Sequence, residues 1–193
     1  MLTKKKECQY NCPDELVVER SIRDILATIG IPDTDAETMA TPLRVAKAWT
    51  EMLRGYEEPD FTATSFPTKF KGMVVRKGIP FTSLCAHHMI PYSGTVDIGI
   101  IYNSRKLGIS KIIRLIQWKC ARLSSQEELT EELVDMFNKI IKPKGVMIIM
   151  SAFHGCEACR GVKVGNVPTI TSWFSGVFKD TAPRAEFMTL ISR

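Results

Sequence analysis

Two short segments of the chain concentrate side chains that can bind a metal ion. Cys85 and His88 lie three positions apart in the first segment, and Cys156 and Cys159 lie three positions apart in the second. The chain of 193 residues has three histidines, and all of them fall in these two segments. A thiolate and an imidazole in this spacing can converge on one ion, and sulfur combined with nitrogen favours zinc.

Two kinds of zinc site agree with the spacing. If Cys85, His88 and Cys156 are the only protein ligands, the fourth position stays open for water, as in catalytic zinc sites. If Cys159 also binds, the site is a closed centre of three cysteines and one histidine, which is typical of structural zinc. The spacing alone leaves both alternatives open.

Composition and charge narrow the class of protein. With 45% hydrophobic and 24% charged residues, the chain is expected to form one globular domain. It has no apolar run of about 18 residues and no apolar signal core at its N-terminus, so we predict a cytoplasmic protein with no membrane partner. The net charge of +5 suits an anionic small molecule. The sequence shows no basic stripe interleaved with aromatic residues, so we do not predict nucleic-acid binding.

The N-terminal part of the chain is predicted to be helical. A lysine-rich flexible tail, residues 1–13, precedes a helical part at about residues 14–60. Asp14 is placed to cap the first helix. Thr41 is placed to cap the second helix, with Pro42 at its first helical position.

The remainder, at about residues 70–193, is predicted to contain the sheet that positions the two metal-binding segments. Apolar residues alternate over 96–100, as in a strand with one buried face. Cys85 lies in the connection just before this strand. The apolar run 146–153 leads directly into the second segment, so both segments are expected at strand ends, where a rigid scaffold can position them.

Two helices are predicted between these strands. Ser110 can cap the first, and Ser125 with Glu128 forms a capping box for the second. The order of helices, strands, two helices and strands predicts an α+β domain with an antiparallel sheet.

Five motifs in this order resemble those of the GTP cyclohydrolase I family, and the resemblance covers about residues 14–190. The motifs are Thr41-Pro42-x-Arg44-Val45-Ala46, Cys85-Ala86-His87-His88, Gly108-Ile109-Ser110-Lys111-Ile112-Ile113-Arg114, Gln126-Glu127-Glu128-Leu129-Thr130, and His154-Gly155-Cys156-Glu157-Ala158-Cys159-Arg160-Gly161.

The resemblance implies a fold, an activity and an assembly. The family has the tunnelling fold, an antiparallel sheet with two helices on one face, here preceded by N-terminal helices in a single domain over residues 14–193. Its members convert GTP and water to 7,8-dihydroneopterin triphosphate and formate, feeding pterin, folate or deazaguanine (queuosine) pathways. They use zinc and form homodecamers with active sites between subunits.

By the same resemblance, Cys85, His88 and Cys156 bind the zinc ion, and His87 and His154 transfer protons. These roles suit the chemistry, because opening an aromatic C–N bond needs an activated water and a group that can donate and recover a proton near neutral pH.

The resemblance also implies the substrate contacts. A carboxylate can accept hydrogen bonds from N1–H and the 2-amino group of guanine together, and cations near a helix N-terminus suit a triphosphate. The residues implied are Ser110 near the ribose, Glu127 at the guanine edge with Gln126 beside it in the pocket, and Lys111, Arg114 and Arg160 at the triphosphate.

Two positions depart from the family pattern, because Ala86 replaces a glutamate and Glu128 replaces an arginine. Ala86 motivates one alternative, a cyclohydrolase that stops at a formamide intermediate or uses a related purine nucleotide. A second alternative is a non-catalytic binding module whose closed zinc site includes Cys159.

Overall fold

The computed structural model describes residues 11–192, so most of the predicted tail lies outside the described residues. The chain divides into two compact units, one ending at Glu58 and the other beginning at Pro59. None of the helices in the described part combines the length and apolar character needed to cross a lipid bilayer.

The N-terminal unit contains two packed helices, α1 (Glu15–Thr28) and α2 (Thr41–Met52), followed by a 3-10 turn at Arg54–Tyr56. Asp14 caps α1 as predicted. Its carboxylate accepts a hydrogen bond of 2.9 Å from the backbone N–H of Leu16, which satisfies one of the free donors at the start of the helix.

The predicted cap of α2 is wrong by one residue. Thr41 is the first residue of the helix, and Ala40 precedes it without a side-chain cap. The chain already turns before α2, because the backbone N–H of Thr41 donates to the carbonyl of Thr38 at 2.8 Å. Pro42 lies in the first helical turn, as predicted.

The second unit contains all the strands of the described chain. They are β1 (Ser65–Pro67), β2 (Met73–Cys85), β3 (Pro91–Ile101), β4 (Arg105–Leu107), β5 (Leu123–Ser124), β6 (Gly145–His154) and β7 (Thr169–Gly176).

Five of these strands form one sheet in the spatial order β5-β2-β3-β6-β7. The pairs β2/β3, β3/β6 and β6/β7 are antiparallel, whereas the short β5 is parallel to β2. The predicted antiparallel sheet is therefore confirmed for its four long strands. The pair β1/β4 forms a separate antiparallel ribbon.

Two helices cover one face of the five-stranded sheet, α3 (Ile109–Cys120) and α4 (Gln126–Ile141). Val96, Ile98 and Ile100 of β3 are fully buried against them, which confirms the alternation found in the sequence. An antiparallel sheet with two helices on one face, preceded in the chain by helices, is the α+β arrangement expected of the tunnelling fold.

A further helix, α6 (Thr181–Ile191), was not predicted. Its Phe187 packs edge-to-face on Phe178 with ring centroids 6.2 Å apart, and both rings are fully buried together with Met147. These aromatic residues cover the opposite face of the sheet, so the sheet is buried on both sides in this region.

The two predicted helix caps of the second unit have different outcomes. Ser125 caps α4 as predicted, because its hydroxyl accepts from the N–H of Glu128 at 3.3 Å. Ser110 does not cap α3. Gly108 is the residue before that helix and Ser110 lies within its first turn, so the helix begins two residues earlier than a Ser110 cap requires.

Candidate metal centre and active site

A tight turn at the end of β2 brings Cys85 and His88 together. The backbone N–H of Cys85 donates to the carbonyl of Ile90 at 3.0 Å, and the N–H of Met89 donates back to the carbonyl of Cys85 at 2.8 Å. Met89 adopts a left-handed conformation with φ of 54°. The chain thus reverses within five residues, and the His88 imidazole returns to the side of the Cys85 thiol.

Pairing of β3 with β6 brings the second metal-binding segment to the same place. His154, the last residue of β6, is the register partner of Tyr92 near the start of β3. The one-turn helix α5 (Gly155–Ala158) follows and contains Cys156. A Cβ atom at position 155 would lie 2.6 Å from the carbonyl oxygen of Pro91, so glycine is needed for this close approach.

Cys85, His88 and Cys156 form a group whose possible ligand atoms all lie within 4.8 Å of one another. The Sγ atom of Cys85 is 3.8 Å from Nδ1 of His88. Tetrahedral zinc with ordinary bond lengths would place sulfur and nitrogen ligands about 3.6 Å apart. Two thiols and an imidazole at this separation therefore fit a zinc ion without rearrangement of the backbone.

The Cys156 thiol of the group favours its neutral form when no ion is bound. Burial, and then the hydrogen bond with the neighbouring Cys85 thiol, raise the pKa of the Cys156 thiol above its ordinary value. Both thiols must be deprotonated to bind a metal ion, and a divalent cation supplies the charge that favours the thiolates.

Cys159 lies outside this group. It is exposed and follows α5, where its N–H donates to the carbonyl of Gly155 at 3.0 Å. The arrangement of the described residues thus favours three protein ligands over the closed four-ligand alternative, and a three-ligand site leaves a position open for water.

His87 and Arg160 lie at the edge of the same group. Nδ1 of His87 is also 3.8 Å from the Cys85 sulfur, but His87 is not part of the three-residue group. A guanidinium nitrogen of Arg160 lies 3.5 Å from Nε2 of His88. Arginine can only donate, and an imidazole that binds metal through Nδ1 has its hydrogen on Nε2. That contact is therefore not a hydrogen bond once a metal is bound.

His154 contacts two residues deeper in the unit. Its Nε2 atom is 2.8 Å from Oε1 of Gln126, which is 1% exposed. Its ring stacks on Tyr92 with centroids 4.5 Å apart. The sequence had suggested no role for Tyr92. A role for Tyr92 could have been inferred only by predicting that the strand after the first metal-binding segment pairs with the strand before the second metal-binding segment.

The other expected substrate residues lie on separate elements. Ser110 and Arg114 are exposed on α3, and Glu127 is exposed in the first turn of α4. The ammonium group of Lys111 lies over the Phe61 ring, 5.3 Å from its centroid. Among the described residues, no hydrogen bond or ion pair joins these four side chains to the metal group.

The two departures from the family pattern are exposed. The backbone N–H of Ala86 donates to the carbonyl of Ser124 at 3.3 Å, which ties the metal-binding turn to β5. Glu128 lies in the first turn of α4, where a carboxylate is favourable at the positive end of the helix dipole.

Comparison with known proteins identifies the class of enzyme to which this fold and site belong. The family model for GTP cyclohydrolase I matches residues 18–192. The chain belongs to the GTP cyclohydrolase I family, a family of hydrolases.

Named relatives cover nearly the whole chain. It is 38% identical over 180 residues to GTP cyclohydrolase 1 of Latilactobacillus sakei, covering 90% of this chain and 95% of the relative. It is 35% identical over 179 residues to GTP cyclohydrolase 1 of Porphyromonas gingivalis, covering 91% and 93%. A solved structure of the archaeosine synthase QueF-Like in the apo form aligns with 56% of this chain and 97% of that chain, at 18% identity and a TM-score of 0.47.

Proposed function

We propose that the protein is a zinc-dependent GTP cyclohydrolase I that converts GTP and water to 7,8-dihydroneopterin triphosphate and formate. The supporting observation is the group formed by Cys85, His88 and Cys156, with His154 two residues from Cys156, in a chain that belongs to this family over most of its length.

The three ligands would hold the zinc ion, which when bound supplies a Lewis acid that lowers the pKa of coordinated water and so provides a nucleophile near neutral pH. In this proposal His87 and His154 exchange protons with the purine as water adds at C8 and the imidazole ring opens. The ring nitrogen next to C8 must gain a proton so that it can leave as an amine when its bond to C8 breaks. A second water cleaves the formamide left by ring opening, and formate departs. The freed amine then closes onto the rearranged ribose carbons with loss of one water, so that one water is consumed overall.

Substrate recognition in this proposal uses the two helices beside the sheet. Glu127 accepts from N1–H and the 2-amino group of guanine, a pair of donors that adenine lacks. The cationic side chains of Lys111, Arg114 and Arg160 bind the triphosphate, and Ser110 lies near the ribose.

The proposal also includes the cellular compartment and the oligomeric state of the enzyme. Reduced thiols are needed as ligands, which suits a cytoplasmic enzyme of pterin, folate or deazaguanine synthesis. The family resemblance supports a homodecamer with shared active sites. The exposed Ile170 and Trp173 on the edge strand β7 offer apolar surface for subunit contact.

The test is incubation of the zinc-loaded protein with GTP, followed by assays for formate and, after oxidation and dephosphorylation, for fluorescent neopterin. ATP and zinc-stripped protein serve as controls. We expect both products from GTP alone. Accumulation of a formamide without neopterin would replace the proposal with a reaction that stops at the formamide. The departure from the family pattern at Ala86 is the reason for considering this alternative. No consumption of GTP at full zinc occupancy would overturn it.

A further inference from the structure

The side-chain amide of Gln126 has a fixed orientation. Its nitrogen lies 3.0 Å from the backbone carbonyl of Thr169 and 3.3 Å from that of Met150. A carbonyl oxygen only accepts, so the atom facing these two groups must be the amide nitrogen and not the amide oxygen. Oε1 of Gln126 therefore faces His154, 2.8 Å from its Nε2 atom.

Two threonines complete the hydrogen bonding of this amide. Oγ1 of Thr171 lies 3.1 Å from the same amide nitrogen and shares its two hydrogens with the carbonyls of Thr169 and Met150. Thr171 can then donate to Oγ1 of Thr130 at 2.6 Å, and Thr130 donates to the backbone carbonyl of Gln126 at 2.6 Å. Every donor in this circuit has an acceptor, so reversing the amide would break several buried hydrogen bonds at once.

The plane of the His154 ring is fixed from a second side. The phenol ring of Tyr92 lies parallel to it, at an interplanar angle of 4°. The Tyr92 hydroxyl is held 2.9 Å from Oγ of Ser124, which is in turn 2.9 Å from Oγ of Ser83. Rotation of the imidazole out of this plane would therefore require the buried Tyr92 to move.

From this geometry we propose that Gln126 is a positioning residue that holds His154 with the hydrogen on Nε2. The amide oxygen can only accept, so Nε2 must be the donor. Nδ1 is then the nitrogen left for proton exchange with the substrate. This inference rests on the proposed function, in which His154 exchanges that proton. It gives Gln126 a role different from the substrate-binding role implied by resemblance, because its amide nitrogen donates inside the protein and its amide oxygen faces His154.

The test is solid-state NMR of sedimented, zinc-loaded protein with 15N-labelled histidine, a method that does not depend on the size of the assembly. Three histidines give few signals, and a His154→Asn variant assigns those of His154. We expect the parent protein to show His154 protonated at Nε2. A neutral His154 with its hydrogen on Nδ1 would overturn the proposal, whether or not the protein consumes GTP.

Steady-state kinetics separate positioning from substrate binding. In Gln126→Leu we expect a mixture of His154 tautomers and a kcat reduced by about 10- to 100-fold, with little change in KM for GTP. The matched control is Glu127→Gln at the adjacent exposed position, which should raise KM and leave the His154 signals unchanged. A raised KM with unchanged His154 signals in Gln126→Leu would instead assign Gln126 to the substrate and overturn the proposal.

A milder variant keeps the test decisive if Gln126→Leu does not fold. Thr171→Val removes one of the three acceptors that share the two hydrogens of the Gln126 amide nitrogen, and it keeps the volume of the side chain. We expect a smaller loss of kcat, an unchanged KM and a detectable second His154 tautomer. Unchanged kcat and unchanged His154 signals in folded Thr171→Val, with zinc content equal to that of the parent, would contradict the proposal.

Discussion

The imidazole of His154 lies flat against the phenol ring of Tyr92, with ring centroids 4.5 Å apart and an interplanar angle of 4°. The two residues are register partners across β3 and β6. The backbone pairing that builds the centre of the sheet therefore also sets the orientation of the proposed proton-transfer group.

Substitutions at Tyr92 should separate ring stacking from the hydroxyl group. Tyr92→Phe keeps the aromatic face and loses the bond to Ser124, so we expect destabilisation of about 1 kcal/mol and a small loss of turnover. Tyr92→Leu removes the face and should lower kcat by roughly a further tenfold. Thermal unfolding and steady-state kinetics measure both effects. Equal kcat values for the two variants would show that stacking does not position His154.

Zinc content distinguishes the three-ligand site from the closed site. Cys156→Ser removes a ligand and should lose zinc on dialysis against a weak chelator, whereas Cys159→Ser should retain one zinc ion per chain. Elemental analysis of the dialysed proteins makes the measurement. Loss of zinc from Cys159→Ser would support the closed structural centre and the non-catalytic alternative.

Alkaline destabilisation should reveal the buried thiol of Cys120. Burial raises its pKa from 9.0 to about 12, although Arg122 and Lys119 oppose the shift. Above pH 9 the unfolded chain releases a proton that the folded chain keeps. The contribution of Cys120 is therefore complete below pH 9 and falls by about 1 kcal/mol per pH unit towards pH 12.

The comparison protein for this prediction is Cys120→Ala. Urea denaturation at pH 8 and pH 10 should show a larger drop in the midpoint for the parent than for the variant, because the variant has no thiol to ionise. Equal drops would mean that other groups account for the alkaline loss.

Gly94 is expected to tolerate no side chain. A Cβ atom there would lie 1.9 Å from the carbonyl oxygen of Ser151 on the neighbouring strand. Gly94→Ala should therefore separate β3 from β6 and destabilise the protein by several kcal/mol, at the upper end for single substitutions. Circular dichroism and the yield of folded protein test this.

Gly78→Ala provides the matched control in the same sheet. Gly78 has a φ of +68° and nothing within 4 Å of the added Cβ, so only conformational strain of about 1–2 kcal/mol is expected. Similar losses for the two variants would contradict the steric explanation for Gly94.

Much of the scaffold was predictable because its signals are local. Asp14 and Ser125 cap helices where their sequence patterns indicate, and the alternation over 96–100 matches the buried face of β3. The prediction for Ser110 failed, because a serine near a helix start cannot be distinguished by sequence from one within the first turn. Helix α6 was missed because its buried residue Phe187 packs with Phe178 and with Met147 of β6, a contact that local periodicity does not show.

The candidate site also contains features that a local sequence pattern predicts and features that depend on how distant elements pack. The C-x-x-H spacing of Cys85 and His88 is a local signal for metal binding. Cys156 was a candidate third ligand by residue type, but the spacing alone did not decide whether Cys159 also binds. The bond between Gln126 and His154 has no local signal, because it depends on how α4 packs against the end of β6. The carbonyl groups of Thr169 and Met150 fix the orientation of the Gln126 amide, and so determine which of its atoms faces His154.

The strand order of the sheet also determines when a metal ion can be captured during folding. Cys85 and His88 are neighbours in sequence, but Cys156 reaches them only after β6 has paired with β3. The nascent chain therefore lacks a complete set of ligands until most of the sheet has assembled, and formation of such long-range contacts is slow. In contrast to small zinc modules, whose folding the ion drives, this chain would form most of its sheet before the proposed ligands of a zinc ion come together. Refolding rates should accordingly be the same with and without zinc, while the ion slows unfolding by holding the ends of β2 and β6 together.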